Sequence, residues 1–295
     1  MEDYIVRVTA AEGKIRAFAC NTTEMLKEAA DIHSLSPLAS AALGRTMTAA
    51  AMMGMNLKGA NDTVTLQIKG NGPIGSVVVI SDTFSNVRGY VGDPQVDLPL
   101  SSIGKFDVAS AVGKDGYLNV IKDLGLKEPY VGYVNLVSGE ISEDLAYYFA
   151  TSEQVPTVVS LGVLINPDGS IANAGGYIIE LMPGAGDDII DFVEEKVASV
   201  PPVTAMLKEG LTPEGILESF FGEKDMRILD SIGCRYMCNC SRERMERALV
   251  NLGEKELRDM LSEDKGAELQ CHFCNKKYNF TGEDLEGLIE ASISR

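Results

Sequence analysis

The sequence predicts an α+β fold: a mixed β-sheet core domain with helices over residues 1–182, a helical linker region over 183–230 and a small C-terminal module over 231–295. Three observations predict it. Short β-rich runs, separated by turns marked with Gly, Asn and Asp, mix with helical stretches as far as Met182. After Gly184-Ala185-Gly186 the texture changes to short amphipathic helices divided by prolines. Cysteine then concentrates at the end of the chain, where Cys234, Cys238, Cys240, Cys271 and Cys274 make up five of the six.

The core elements follow in order. Ser36-Pro37 reads as an N-cap with Pro at the first helical position, where no intrahelical N–H is needed. It opens a helix through Leu57 with Leu38, Ala42, Thr46, Ala50 and Met53 near one face. Residues 63–68 alternate apolar and polar side chains, and residues 76–80 follow across a Gly-rich turn, which makes a hairpin. That turn, Gly70-Asn71-Gly72-Pro73-Ile74-Gly75, formally matches a dinucleotide fingerprint, but the fingerprint needs a helix after it and here Val77-Val78-Val79-Ile80 is β-rich. Ser142 caps a further helix, with Glu143 and Asp144 in its first turn ahead of residues 145–149. Residues 158–165 and 171–181 flank Asn166-Pro167-Asp168-Gly169, where Pro fixes φ and Gly tolerates positive φ, giving a second hairpin.

In the linker, Asp187 caps a helix whose Ile189, Val193 and Val197 share one stripe, ended by Pro201-Pro202. Thr212-Pro213 opens another, with Ile216, Leu217, Phe220 and Phe221 before Gly222. Helices this short cannot bury their stripes alone, so they must lie on the core domain or on a partner.

Composition narrows the function. Apolar residues make up 45% of the chain and charged residues 23%, ordinary globular usage. With 43 Asp and Glu against 26 Lys and Arg, the net charge is −17, which repels phosphate backbones; no nucleic-acid partner is expected. The last 65 residues are nearly balanced, so the excess negative charge lies upstream. The N-terminal MEDYIVRVTA has no basic leader before an apolar run, so no signal peptide is expected and the chain is placed in the cytoplasm. Residues 39–57 are the most membrane-like stretch, but Arg45 interrupts them and Ala, Thr and Met dominate, so no membrane partner is expected.

The decisive pattern is Cys238-Asn239-Cys240, thirty intervening residues, then Cys271-His272-Phe273-Cys274. In a reducing cytosol, clustered cysteines point to a metal or to redox sensing before structural disulfides. Tetrahedral Zn²⁺ takes thiolates at about 2.3 Å, and two close pairs can straddle one ion while the chain between them closes the loop. The C-terminal module therefore reads as a zinc-binding domain holding one Zn²⁺ through Cys238, Cys240, Cys271 and Cys274. Ser241 caps the intervening helix, which Gly253 ends. Competing readings are free thiol pairs or disulfides, His272 in place of one cysteine, and Cys234 as a rival ligand or disulfide partner. Cys20 reads as an inert buried thiol and His33 as an ordinary polar contact.

Four thiolates leave no open position for substrate or activated water, and with only His33 and His272 a histidine-based triad has few candidates. No catalytic residue is assigned, and the protein is not expected to be an enzyme. Two other classes remain for comparison. One is a zinc ribbon binding nucleic acid through Arg235, Arg242, Arg244, Arg247, Lys276 and Lys277; the other is a thiol oxidoreductase using Cys271 and Cys274.

The cysteine pairs sit in the stretches CNCSRER at 238–244 and CHFC at 271–274. Together with EPYVGY at 128–133, SGEISEDLAYY at 138–148, TSEQ at 151–154, GGYI at 175–178 and MPGA at 182–185, they make the whole chain resemble the redox-regulated holdases of the heat-shock protein 33 family. The resemblance implies an ATP-independent chaperone of the oxidative-stress response that holds unfolded or partly unfolded client proteins. It implies a reduced form that is inactive and carries one Zn²⁺ on Cys238, Cys240, Cys271 and Cys274, and oxidation of these to disulfides, releasing zinc. It further implies unfolding of the switch domain and linker, exposure of apolar surface, and a homodimer when oxidised. Cys234 is the departure from the simplest two-disulfide scheme. The residues support the same mechanism: a module of this size depends on its metal, since structural zinc supplies ~10–16 kcal/mol of folding free energy. Thiolates are also the form that peroxide oxidises.

Overall fold

The computed structural model describes residues 2–101 and 104–293. The chain divides into two compact units, Met1–Met237 and Cys238–Arg295.

The first unit begins with β1 (Tyr4–Ala10) and β2 (Ile15–Asn21), which pair antiparallel; helix α1 (Thr23–His33) follows. Helix α2 (Pro37–Met55) starts as the sequence predicts, with the Ser36 hydroxyl accepting from the Ala39 N–H at 3.0 Å. It ends two residues before Leu57, and its burial is not confined to one face: every residue but Pro37 and Arg45 is buried. Small Ala, Gly and Thr side chains let it lie between two sheets.

One of these is a six-stranded sheet. The predicted first hairpin is β3 (Thr63–Lys69) with β4 (Ser76–Asp82), so the Gly70–Gly75 turn joins two strands, as expected. Next come β5 (Asn86–Val91), helix α3 (Val108–Val112), β6 (Tyr117–Asp123) and β7 (Tyr130–Asn135). Helix α4 (Ser142–Tyr148) follows, but Ser142 is its first residue and not its cap. The N-cap is Ile141 at φ +57°, and Asp144 reaches back so that its carboxylate accepts from the N–H groups of Val137, Ser138 and Ile141. A carboxylate one turn into the helix thus does the work assigned to the hydroxyl.

The second hairpin, β8 (Thr157–Ile165) with β9 (Ile171–Leu181), completes the five-stranded sheet, with Gly169 at φ +86° in its turn. Three helices then cover the outer face of that sheet: α5 (Asp187–Ser199), α6 (Val203–Lys208) and α7 (Pro213–Phe221). Asp187 is the first residue of α5 and Gly186 its N-cap, whereas Thr212 caps α7 as expected. Ile189, Val193, Ile216, Leu217, Phe220 and Phe221 bury against Val6, Val8, Ile15, Ala17, Tyr177 and Ile179. Of the two places open to these stripes, the chain's own core domain is the one they occupy.

Two strands beyond the predicted core domain complete its sheets. β10 (Arg227–Gly233) adds to β1, giving the order β10-β1-β2-β9-β8, and β11 (Arg235–Tyr236) adds parallel to β5, giving β11-β5-β4-β3-β6-β7. Residues 231–237 therefore sit with the first unit. Among the described residues, no helix is long and apolar enough to cross a membrane.

The second unit contains α8 (Arg242–Leu252), α9 (Glu254–Glu263), the antiparallel pair β12 (Gly266–Gln270) and β13 (Lys277–Thr281), and α10 (Gly282–Ile293). Its core is small: among the described residues, Leu249, Leu257, Tyr278, Phe280, Leu285 and Ile289 form the buried apolar cluster.

Candidate metal centre

Two local structures bring the cysteines together. On one side, Cys238-Asn239-Cys240 runs into α8, whose N-cap Ser241 accepts from the Arg244 N–H at 3.3 Å. The Arg244 guanidinium donates to Asn239 Oδ1 at 2.6 Å, fixing the residue between the two cysteines. On the other side, residues 271–276 form the turn from β12 to β13. The Cys271 N–H donates to the Lys276 carbonyl at 3.0 Å, and the Asn275 N–H returns to the Cys271 carbonyl at 2.8 Å, with Asn275 left-handed at φ +58°. Asn is among the residues that tolerate that conformation.

The four sulfurs lie within 4.8 Å of one another. Cys238 Sγ is 3.7 Å from Cys271 Sγ, and Cys240 Sγ is 3.4 Å from Cys274 Sγ. Four sulfurs each about 2.3 Å from a tetrahedral centre are about 3.8 Å apart, so the arrangement fits one ion of that kind. The donor set is all sulfur and complete at four, which suits a closed structural site for zinc.

Electrostatics separates the four. Burial opposes ionisation of Cys240, yet the Tyr278 hydroxyl and the Cys274, Cys238 and Cys271 thiols around its sulfur outweigh that and bring it down to about 7. Burial pushes the Cys238 and Cys274 thiols up. Cys271 is 5% exposed, while the other three are half-buried.

The remaining sequence candidates fall elsewhere. His272 is not in the sulfur cluster. Cys234 lies in the first unit, buried, with its sulfur directed at the Asn21 carbonyl at 3.6 Å. Burial raises its pKa, with Asp3 adding to the effect, and burial does the same to Cys20. His33 meets the Tyr236 hydroxyl at 3.1 Å, a polar contact as expected. Two of the six basic residues are paired with carboxylates: Arg242 with Asp284 at 2.9 Å, stacking also over the Phe280 ring, and Lys277 with Glu268 at 2.8 Å. The site residue that sequence reasoning missed is Tyr278, whose hydroxyl donates to Cys240 Sγ at 3.1 Å. The available signal was an aromatic on the strand immediately after the second cysteine pair.

Comparison with known proteins agrees along the whole chain. The family profile described as Hsp33 protein matches residues 3–281. A 33 kDa chaperonin of Acetivibrio thermocellus is 61% identical over 290 residues, covering 98% of each chain. That of Bacillus subtilis is 51% identical over 286 residues, covering 97% of this chain and 98% of its own. The crystal structure of the 33 kDa chaperonin (heat shock protein 33 homologue) of Thermotoga maritima superposes with a TM-score of 0.91 at 40% identity, covering 100% of both chains. A profile that runs from the first strand to the end of β13, relatives above half identity and one shared architecture lead to one conclusion: the chain belongs to the Hsp33 family.

Proposed function

We propose that this chaperone is an ATP-independent holdase switched by the redox state of Cys238, Cys240, Cys271 and Cys274. The observation that carries the reading is the convergence of exactly these four thiols on one tetrahedral-sized site, inside a unit whose apolar core is too small to be secure alone. Zn²⁺ held there would keep the sulfurs deprotonated and supply the folding free energy that the small core lacks. Each disulfide removes two ligand sulfurs, so an oxidant converts into loss of the cross-link that holds α8 to the β12–β13 turn. Residues 238–295 then unfold, and residues 183–230 serve as the linker whose release bares apolar surface for unfolding clients; the active form is a homodimer working in the cytoplasm.

The nucleic-acid reading is less favoured because Arg242 and Lys277 of its basic face are paired with carboxylates. An oxidoreductase is less favoured because Cys271 is buried and badly placed to exchange with a partner's disulfide.

Two outcomes are expected. In light scattering of a thermally aggregating client, peroxide-oxidised protein suppresses aggregation at near-stoichiometric ratio while the reduced zinc-bound protein does not, and a chromogenic chelator registers one zinc per chain on oxidation. Equal suppression by both forms would defeat the switch. Within the switch, the Cys271–Cys274 disulfide is expected to precede any bond involving Cys238 and Cys240. Two intervening residues let a turn bring Cα atoms to about 4.4–6.8 Å, whereas one intervening residue forces a strained ring. Once local unfolding relaxes that restriction, Cys238 or Cys240 bonds to the other or to Cys234. Alkylation and peptide mapping after mild peroxide check the order, which a Cys238–Cys240 bond forming while Cys271 and Cys274 stay reduced would reverse.

A further inference from the structure

We infer that Tyr278 is a positioning residue that quiets the Cys240 thiolate and so sets how readily the cysteine site responds to peroxide. The inference rests on the metal reading above and takes it one step further.

Tyr278 lies on β13, four residues beyond Cys274, with its ring in the core of the second unit and only 7% of its surface exposed. The ring is held by that core and by Lys276, whose ammonium lies 5.1 Å from the ring centroid. Its hydroxyl therefore has little freedom, and it donates to Cys240 Sγ at 3.1 Å. Cys240 is half-buried, so solvent and small oxidants reach it. Cys271 needs no such partner, because burial already screens it.

The chemistry gives this hydrogen bond a definite sign. With the metal bound, all four sulfurs are already deprotonated, so the hydroxyl does not decide how much thiolate exists. It decides how free the sulfur lone pairs are. When peroxide attacks Cys240, its sulfur donates an electron pair to one peroxide oxygen and the O–O bond breaks. Sulfur gains an S–O bond as a sulfenic acid, oxidised by two electrons, and the departing oxygen leaves as hydroxide that a proton converts to water. A donor already engaged with that electron pair is partly lost during attack, which slows the step. Orientation partners of metal-bound ligands commonly tune them in this way. The effect falls on the first cysteine pair alone, which leaves half-buried Cys274 as the more accessible sulfur of the second pair.

The test is Tyr278→Phe in the full-length, reduced, zinc-loaded protein, since Phe keeps the ring in the core and removes only the donor. Peroxide-driven zinc release is expected to speed up about fivefold, less than the tenfold or more that full loss of a hydrogen bond to a charged group would give, because the bond is only partly lost during attack. Dimedone, which traps sulfenic acids, is expected to label Cys240 early instead of late. Zinc loss to a chelator without oxidant is expected to stay unchanged. Phe280→Leu serves as a second variant that loosens the same core without touching a sulfur; it is expected to raise chelator-driven loss and leave early dimedone labelling of Cys240 absent. Unchanged peroxide rates in zinc-loaded Tyr278→Phe would overturn the role of Tyr278. So would a parallel rise in the peroxide and chelator rates, which marks a purely structural effect. Wild-type protein that carries no zinc would instead remove the metal reading, and this one with it, so metal analysis of the same samples separates the two failures.

Discussion

Single replacement of Cys238, Cys240, Cys271 or Cys274 by Ser is expected to strip most of the zinc from the reduced protein and to unfold residues 238–295 while residues 1–182 keep their structure. The reason is an imbalance of magnitudes. A structural zinc site is worth ~10–16 kcal/mol in a small domain. Among the described residues the second unit's core cluster holds six buried apolar side chains, and a core of that size rarely leaves more than ~3–5 kcal/mol of net stability. Removing one sulfur of four leaves the ion open and weakly held, so the loss exceeds what the core can absorb. The core domain around α2 has no such dependence, because α2 is packed between two sheets that share none of the four sulfurs. Cys20→Ala is the control: Cys20 is buried in that other core and is expected to leave metal content unchanged. Metal analysis with circular dichroism reads both effects. Full occupancy in two or more of the four Ser variants would show that the cysteines are not acting as one ligand set.

Full oxidation is expected to lower hydrogen-exchange protection across residues 187–230 by at least about tenfold, equivalent to about 1.4 kcal/mol of local stability. The segment is unevenly held. α7 is pinned by Ile216, Leu217, Phe220 and Phe221, which are at most 1% exposed, and by the Tyr4 hydroxyl donating to Glu214 at 2.8 Å. β10 is exposed along nearly its whole length, with Ile228 and Leu229 more than half exposed and a bidentate Arg7–Asp230 pair supplying its side-chain anchor. Surface ion pairs contribute little, roughly 0–1 kcal/mol. The loss of protection is therefore expected to be greatest at β10 and least at α7. Exchange that stayed unchanged over the whole segment would exclude it as the surface uncovered by oxidation.

What was legible in the sequence was local. The two hairpins, the Ser36-Pro37 start of α2, the Thr212 and Ser241 caps and the four-cysteine pattern all depend on residues a few positions apart, and the structure has each of them. What was not legible was long-range. β10 pairs with β1 across most of the chain, as the 223-residue separation of Arg7 and Asp230 shows, and its exposed RILDSIG carries no alternation to announce a strand. Asp144 displaced Ser142 as the device at the start of α4 because three loop N–H groups converge on its carboxylate, a geometry that only the folded loop creates. Tyr278 was hidden for the same reason: alternation along β13 marks it as a core residue, and its hydroxyl acquires a partner only when the two cysteine pairs meet.

The path of residues 227–236 carries a consequence for the main chain itself. β10 lines the outer rim of one sheet and β11, two residues later, the rim of the other, so one short segment occupies a border strand's place on both. With that segment displaced, β1 and β5 would each present a row of unsatisfied N–H and C=O groups, the template onto which extended polypeptides add as an extra strand. Such a rim reads peptide groups and not side chains, so it discriminates folded from unfolded chains without regard to sequence.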